Sequence, residues 1–159
     1  MDKVYSIDER YAQEIVRLCK SKEEVIDRLL EFDYPLAKHN NKDLEVNSVS
    51  DILWNRILER NKPLKESFSV RGVIKSREFW VNSEKLDFNK SKIDFNLTHA
   101  NDFYWGEPGT VNGQLSFAIL MALTKNKDRA LKHYVVFKSE VVDTFPEADL
   151  EMLIEIDYQ

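Results

Sequence analysis

Phe103–Leu123, with the sequence FYWGEPGTVNGQLSFAILMAL, is the stretch that decides the fold. It holds three of the four glycines of the chain and its most apolar helical segment. From about Gly113 to Thr124, apolar residues cover nearly every side of the predicted helix, so we expect that helix to be buried. An aromatic cluster and a Gly/Pro turn come immediately before it. The stretch therefore predicts the structural centre of a compact domain.

The composition bounds the class of protein. With 159 residues, of which 43% are hydrophobic, the chain can form one domain with a true core. A single cysteine excludes an intrachain disulfide, and the N-terminus lacks an apolar signal segment, so we expect a cytoplasmic protein. No apolar run reaches the roughly 18–20 residues that span a bilayer, so no membrane partner is expected. The net charge of -5 argues against a general nucleic-acid-binding protein.

The N-terminal segment, residues 1–65, has the pattern of helices. Two capping boxes, S-I-D-E from Ser6 and S-K-E-E from Ser21, predict the starts of the first two helices. Residues 37–47 are polar and Asn-rich and predict a loop. A third helix is expected to begin at Ser48 or Ser50 and to end at the N-K-P sequence of residues 61–63.

Residues 66–159 change to the period of strands and then return to helix. Phe68 and Val70 alternate with polar residues, Glu78–Val81 predicts a second strand, and residues 86–97 continue a short-strand pattern. Residues 150–158 alternate cleanly and predict a strand that closes the sheet. The predicted fold is α+β, with N-terminal helices followed by a small antiparallel sheet packed on the buried helix.

The sequence contains no pattern typical of a catalytic or metal site. The three histidines are far apart, His39 and His133 are expected to face solvent, and Cys19 has no evident base beside it. His99 and Asp102 are close enough in sequence to form a hydrogen-bonded pair, which is more often structural than catalytic. We therefore predict a protein that is not an enzyme and that needs no cofactor and no metal.

Three segments are candidates for contact with a ligand or a partner: the aromatic turn at residues 103–109 as an anchor, the Gly106–Gly113 turn and the basic segment of residues 125–138. The Gly106–Gly113 turn precedes a helix, where free N–H groups attract anions, although packing of Trp105 on that helix is the simpler interpretation. A basic segment covers residues 125–138 and is a candidate for RNA contact, although a solvated helix face is commoner. The candidate contact residues are Tyr104, Trp105, Gly106, Glu107, Gly109, Lys125, Lys127, Arg129 and Lys132.

The motifs of residues 79–142 resemble those of a small-domain family of unknown function that occurs in bacteria and their phages. The resemblance lies in W-V-N-S-E-K-L-D (80–87), F-Y-W-G (103–106), Q-L-S-F-A-I-L (114–120) and Y-V-V-F-K-S-E-V-V (134–142). The turn departs from the family, because E-P-G-T-V-N-G stands where a longer glycine-rich run is usual. The resemblance implies a fold and a mobile-element setting, but it implies no chemistry.

These observations favour a non-catalytic binding protein. Its sharpest form is an accessory protein from a phage or mobile element that inhibits a host defence complex, in the manner of an anti-CRISPR protein. The partner would then be a host protein or ribonucleoprotein. An acidic face would meet its basic surface, and that face comprises Glu140, Asp143, Glu147, Asp149 and Glu151. The alternative is a small-ligand or nucleotide-binding module that uses the Gly106–Gly113 turn, with Lys125 or Arg129 as counter-charges.

Overall fold

The computed structural model describes residues 8–31, 42–97 and 101–159. The chain divides into two compact units, Met1–Asn61 and Lys62–Gln159. This division lies slightly before the predicted one after residue 65, because the first strand already begins at Leu64. In the described part of the chain, no helix is both long and apolar enough to cross a bilayer.

Among its described residues, the first unit has three helices: α1 (Glu9–Leu18), α2 (Lys22–Glu31) and α3 (Lys42–Arg60). Its core is formed by the side chains that these helices bury, among them Ile15, Val25, Leu29, Leu53 and Ile57. Asp8 caps α1 by accepting a hydrogen bond from the Arg10 N–H at 2.8 Å, whereas the predicted cap Ser6 lies outside the described residues.

The predicted cap of α2 is present in part. The Ser21 hydroxyl oxygen accepts a hydrogen bond from the Glu24 N–H at 3.2 Å, as a capping box requires. The Glu24 carboxylate, however, accepts from the N–H of Lys20 at 2.8 Å instead of from Ser21. The same two side chains therefore stabilise the start of α2, but the second hydrogen bond comes from the Lys20 N–H instead of the Ser21 N–H.

The start predicted for the third helix is wrong. Residues 42–47 belong to α3, where the sequence pattern had suggested a loop, and Ser50 lies inside the helix with its hydroxyl donating to the Asn47 carbonyl. Val46 and Val49 are both buried, so the buried face of α3 already includes a residue before the two serines. Asn47, between them, is exposed on the other side of the same helix.

The second unit contains one antiparallel sheet with the strand order β3-β2-β1-β4. The strands are β1 (Leu64–Val73), β2 (Glu78–Val81), β3 (Glu84–Lys85) and β4 (Leu150–Tyr158). β1 and β4 pair along nine residues, from Leu64 opposite Tyr158 to Gly72 opposite Leu150. The α+β class and the strand that closes the sheet are thereby confirmed.

The described residues between β3 and β4 form three α-helices: α4 (Phe88–Asp94), α5 (Gly113–Thr124) and α6 (Lys127–Glu140). β3 ends at Lys85, so the short strands predicted over residues 86–97 are wrong. Asp87 instead accepts a hydrogen bond from the Lys90 N–H and caps α4. The apparent alternation was misleading because Ile93 is 86% exposed and contributes to no buried face.

α5 is the buried helix that the sequence predicted, with the same ends. Every residue from Gly113 to Leu120 is buried. The inner face of the sheet joins the same core, and Phe68 of β1 packs on Phe137 of α6 with ring centres 6.3 Å apart. The helices therefore cover one face of the sheet and leave the other exposed.

Gln114, in the first turn of α5, is a polar side chain that is 0% exposed. Its amide nitrogen donates to the Ser91 hydroxyl (3.0 Å) and the Phe95 carbonyl (3.1 Å), and its oxygen accepts from the Leu97 N–H (3.1 Å). Because buried polar groups without partners cost free energy, these three bonds make the side chain tolerable in the core. They also hold residues 95–97 against α5.

We expect Gln114→Leu to lower the free energy of unfolding by roughly 2–4 kcal/mol, because the Leu97 N–H and the Phe95 carbonyl lose their partner. Denaturant unfolding monitored by circular dichroism measures this loss. Ser116→Ala is the matched control on the same helix: it removes one bond, from the Ser116 hydroxyl to the Tyr134 carbonyl, and should cost about 1 kcal/mol. Equal losses for the two variants would contradict the role assigned to Gln114.

Candidate functional site

The aromatic cluster at the start of the deciding stretch belongs to the core. Trp105 is only 3% exposed, its indole N–H donates to the Ala148 carbonyl at 3.1 Å, and its ring lies edge-on against Phe79. The structure therefore places Trp105 where it packs the domain instead of anchoring a partner. Tyr104 is half-buried, and the Arg77 guanidinium lies 4.8 Å from the centre of its ring.

The Gly106–Gly113 turn is organised around a carboxylate of the chain itself. Asp143 accepts hydrogen bonds from the Asn112 side-chain amide and the Lys138 ammonium, both at 2.8 Å, and the nearby Gly109 N–H also favours its charged form. The Asn112 amide also donates to the Glu107 carbonyl at 2.7 Å. The anion that this turn binds is therefore internal, and an external phosphate would have to displace Asp143.

The pKa of Asp143 reflects these contacts. Its side chain is 13% exposed, and this burial alone raises the pKa of the carboxyl. The hydrogen bonds from Lys138 and Asn112 and the positive charge of Lys138 outweigh the burial, so the pKa lies below its usual value. Asp143 is thus charged at neutral pH and joins the turn to the end of α6.

The basic segment 125–138 does not form one exposed cationic face. Lys138 is paired with Asp143, and the Arg129 guanidinium donates to the Pro63 carbonyl at 2.7 Å. Lys127 and Lys132 are half-buried, and Lys125 is exposed beyond the end of α5. At least two of the five cations thus have partners within the second unit, which weakens the basis for RNA contact along this helix.

The structure also distributes the residues of the predicted acidic face among different local contacts. Asp143 lies in the turn, Asp149 accepts a hydrogen bond from the Ile74 N–H at 2.8 Å, and Glu147 lies beside Gly106. Glu140 accepts from the Tyr158 hydroxyl at 3.3 Å. Burial, and then the charge and hydrogen bond of Glu140, raise the pKa of that hydroxyl to about 12, so it stays a donor.

Glu151 is the last residue of the predicted acidic face. It belongs to a larger surface on β4 that the sequence analysis did not identify. The outward side chains of β4 are Glu151, Leu153, Glu155 and Asp157, all exposed, and we name them the acidic strand surface. Leu153 is 69% exposed and lies between two carboxylates. The signal is present in the alternation of residues 150–158, from which only a strand that closes the sheet is predicted.

The neighbouring strand β1 neutralises the negative charge of this surface only in part. Asp157 forms an ion pair with Lys65 at 3.5 Å, and Glu151 lies opposite Arg71 in the register. The Arg71 guanidinium, however, lies 4.0 Å from the centre of the Trp80 ring, and Glu155 lies opposite the neutral Ser67. The acidic strand surface therefore keeps an attraction for cations, weakened by salt because all of it is exposed.

The groups considered for catalysis have no reactive setting among the described residues. Cys19 is buried, and burial, followed by the charge of Glu24, raises the pKa of its thiol, which opposes formation of a thiolate. His133 is buried and stacks on Tyr158 with ring centres 5.4 Å apart, so the prediction that it faces solvent is wrong. His39 and His99 lie outside the described residues.

Residues 70–157 match the model of a family of unknown function (DUF6166), which covers more than half of the chain. The match extends from β1 to the penultimate residue of β4 and so includes most of the second unit. No curated protein and no solved structure matches the chain. The resemblance to a family of unknown function is confirmed.

We expect Gly106→Ala to destabilise the protein by about 2 kcal/mol or more, because Gly106 has a φ of 107° and an added Cβ would lie 2.7 Å from the Glu147 Cα. Gly109→Ala is the matched control. An added Cβ there would meet only Val111, at 3.9 Å. Thermal unfolding of the two variants measures the difference, and a Gly109→Ala loss as large as that of Gly106→Ala would contradict this account of the turn.

We expect Asp143→Asn to lower the free energy of unfolding at pH 7 by about 1.5–3 kcal/mol, because it removes charge-assisted hydrogen bonds. The native pKa of Asp143 is depressed, so its contribution is complete above the unfolded value of about 4 and is lost as the pH falls through the native pKa. The difference between wild type and variant should therefore shrink below about pH 4.

Denaturant titrations from pH 2 to pH 7 test this. Glu147→Gln, at an exposed acid near the same turn, is the control and should change the stability by less than about 0.5 kcal/mol. A difference between wild type and Asp143→Asn that is independent of pH would rule out the proposed ion pair as its source.

Proposed function

We propose that this chain, which belongs to the family of unknown function DUF6166, is a non-catalytic binding protein whose partner carries a basic protein surface. The observation that carries the proposal is the acidic strand surface. Three carboxylates and an exposed leucine lie in line on a rigid strand, and β1 compensates their charge only in part. Complementary charge steers such encounters, and the exposed leucine adds apolar contact area.

The more specific form of the proposal is an accessory protein of a phage or mobile element that inhibits a host defence complex. The motif resemblance over residues 79–142 supports this setting. A defence complex that binds nucleic acid presents basic surfaces to phosphates, and a row of carboxylates competes for such surfaces. This form of the proposal places the protein in the cytoplasm of the host cell.

The alternative, a small-ligand or nucleotide module at the Gly106–Gly113 turn, has less support. Asp143 already accepts the hydrogen bond of the Asn112 amide in this turn, and Lys138 neutralises its charge. A nucleotide phosphate at the same donors would bring a second negative charge next to a buried carboxylate, which is unfavourable. We therefore prefer the binding function at β4.

The proposal predicts that neutralising the acidic strand surface abolishes partner binding and leaves the fold intact. The test variant is the triple substitution Glu151→Gln, Glu155→Gln and Asp157→Asn. The control removes three charges from exposed acids of α2 in the first unit, as Glu23→Gln, Asp27→Asn and Glu31→Gln. Both variants change the net charge equally, so only the position of the charges differs.

The measurement is capture of host-lysate components by the tagged proteins, with identification of the protein and nucleic acid in each eluate. We expect wild type and control to retain the same stoichiometric complex, released by raised salt, and the β4 variant to lose it. A complex that all three proteins retain, or an eluate without any macromolecule, would refute the proposed function. If the captured complex keeps its activity when the protein is added in equimolar amount, the inhibitor form is excluded.

A further inference from the structure

In the part of the chain that the structure describes, β4 has one long edge without a neighbouring strand. The sheet ends with β3 on one side and β4 on the other, and β3 has only two residues, whereas β4 has nine. A short edge offers little to another chain, but a long one presents a row of unpaired N–H and C=O groups. The edge of β4 is therefore the place on this sheet where another strand fits.

The register shows which peptide groups of β4 point outward. Ser69 uses its N–H and C=O toward β2, because it donates to the Asn82 side-chain oxygen and accepts from the Asn82 N–H. Since these groups alternate in direction along a strand, Phe68 and Val70 point toward β4, where they face Ile154 and Met152. The peptide groups of Glu151, Leu153, Glu155 and Asp157 consequently point away from the sheet.

No other backbone group in the described chain covers these outward groups. The backbone hydrogen bonds outside regular helices and strands include none at Glu151, Leu153, Glu155 or Asp157. All four residues are also exposed. The same four residues thus carry both the unpaired peptide groups and the side chains of the acidic strand surface.

We propose that the partner binds by adding an extended basic segment as a fifth strand, antiparallel to β4, along this edge. The inference rests on the proposed function, because it specifies how the acidic strand surface is used. Backbone hydrogen bonds from the outward groups supply affinity, and the side chains opposite supply specificity. The partner is a protein, since only a polypeptide satisfies a row of peptide donors and acceptors.

The charges of β4 define the sequence of that segment. In antiparallel pairing, residues directly opposite each other have side chains on the same face of the sheet, with Cβ atoms about 4.5–5.5 Å apart. Cations are therefore required opposite Asp157, Glu155 and Glu151, and an apolar residue opposite Leu153. Read in the direction of the partner chain, the pattern is basic-x-basic-x-apolar-x-basic.

The same charges disfavour a second copy of this protein as the occupant. Two β4 strands paired antiparallel across a twofold axis place carboxylates of one copy opposite carboxylates of the other or opposite Leu153, whatever the register. Like charges that face each other across strands are destabilising. Nucleic acid is repelled by the same carboxylates, so the basic peptide is the occupant that the charge pattern selects.

A designed peptide tests the proposal on the intact chain. The probe TKVKVLVKT places lysines opposite Asp157, Glu155 and Glu151 and its leucine opposite Leu153. The first modified probe carries N-methyl groups on the second lysine and the leucine, whose N–H groups would face β4. The control probe carries the same number of N-methyl groups on the second and third valines, whose N–H groups would face away.

We expect the unmodified and control peptides to bind with equal affinity and the edge-facing N-methyl peptide to bind at least about tenfold more weakly, because it loses two backbone donors. The bound peptide should also slow amide hydrogen exchange at Leu153 and Glu155. Nuclear magnetic resonance titration with hydrogen exchange measures both quantities in one sample.

Three outcomes would overturn strand addition. Equal binding of both N-methyl peptides would show that charge alone holds the peptide, and the proposed function would stand. Absence of peptide binding up to about 1 mM would exclude this mode, while the capture experiment decides the proposed function independently. Protection of the β4 amides that rises with protein concentration without peptide would identify a second copy as the occupant.

Discussion

The hydrogen bonds of Gln114 are the constraint on which the second unit depends. α5 is buried along its first two turns, so a polar side chain there is acceptable only if every group of its amide is paired. Gln114 meets this condition by binding the segment that follows α4, through Ser91, Phe95 and Leu97. The path of the chain between α4 and α5 is thus fixed by the need to satisfy one amide in the core.

Asp143 applies the same principle in the turn that precedes α5. The Asn112 amide in this turn is a donor, and Asp143, which follows α6, accepts its hydrogen bond while Lys138 balances the charge. A glycine-rich turn before a helix is a common sign of anion binding. Here the anion belongs to the chain, so the feature that suggested a ligand site in the sequence is one of the contacts that hold the domain together.

Much of the fold could be predicted because the decisive patterns are local. The ends of α5 and of β2 agree with the sequence pattern, and so does the alternation of β4. The errors have local causes as well: the polar residues before Ser48 hid the first turn of α3, and Ile93 imitated the alternation of a strand. The surface could not be predicted in full, because the direction of the β4 peptide groups depends on its pairing with β1, and the partners of Arg129 and Asp143 are distant in sequence.

The alternation of side chains along β4 determines both its packing and its surface charge. Successive side chains of a strand point to opposite faces of the sheet, so Ile154 and Ile156 lie in the core. Glu151, Glu155 and Asp157 therefore lie on the opposite face. An exposed edge of this length would promote association with other copies of the chain if its outer side chains were neutral. The carboxylates oppose that association by repulsion. In the proposed binding mode, their uniform sign also leaves the edge open to a segment of opposite charge, so that protection of the edge and selection of a basic partner would follow from the same three charges.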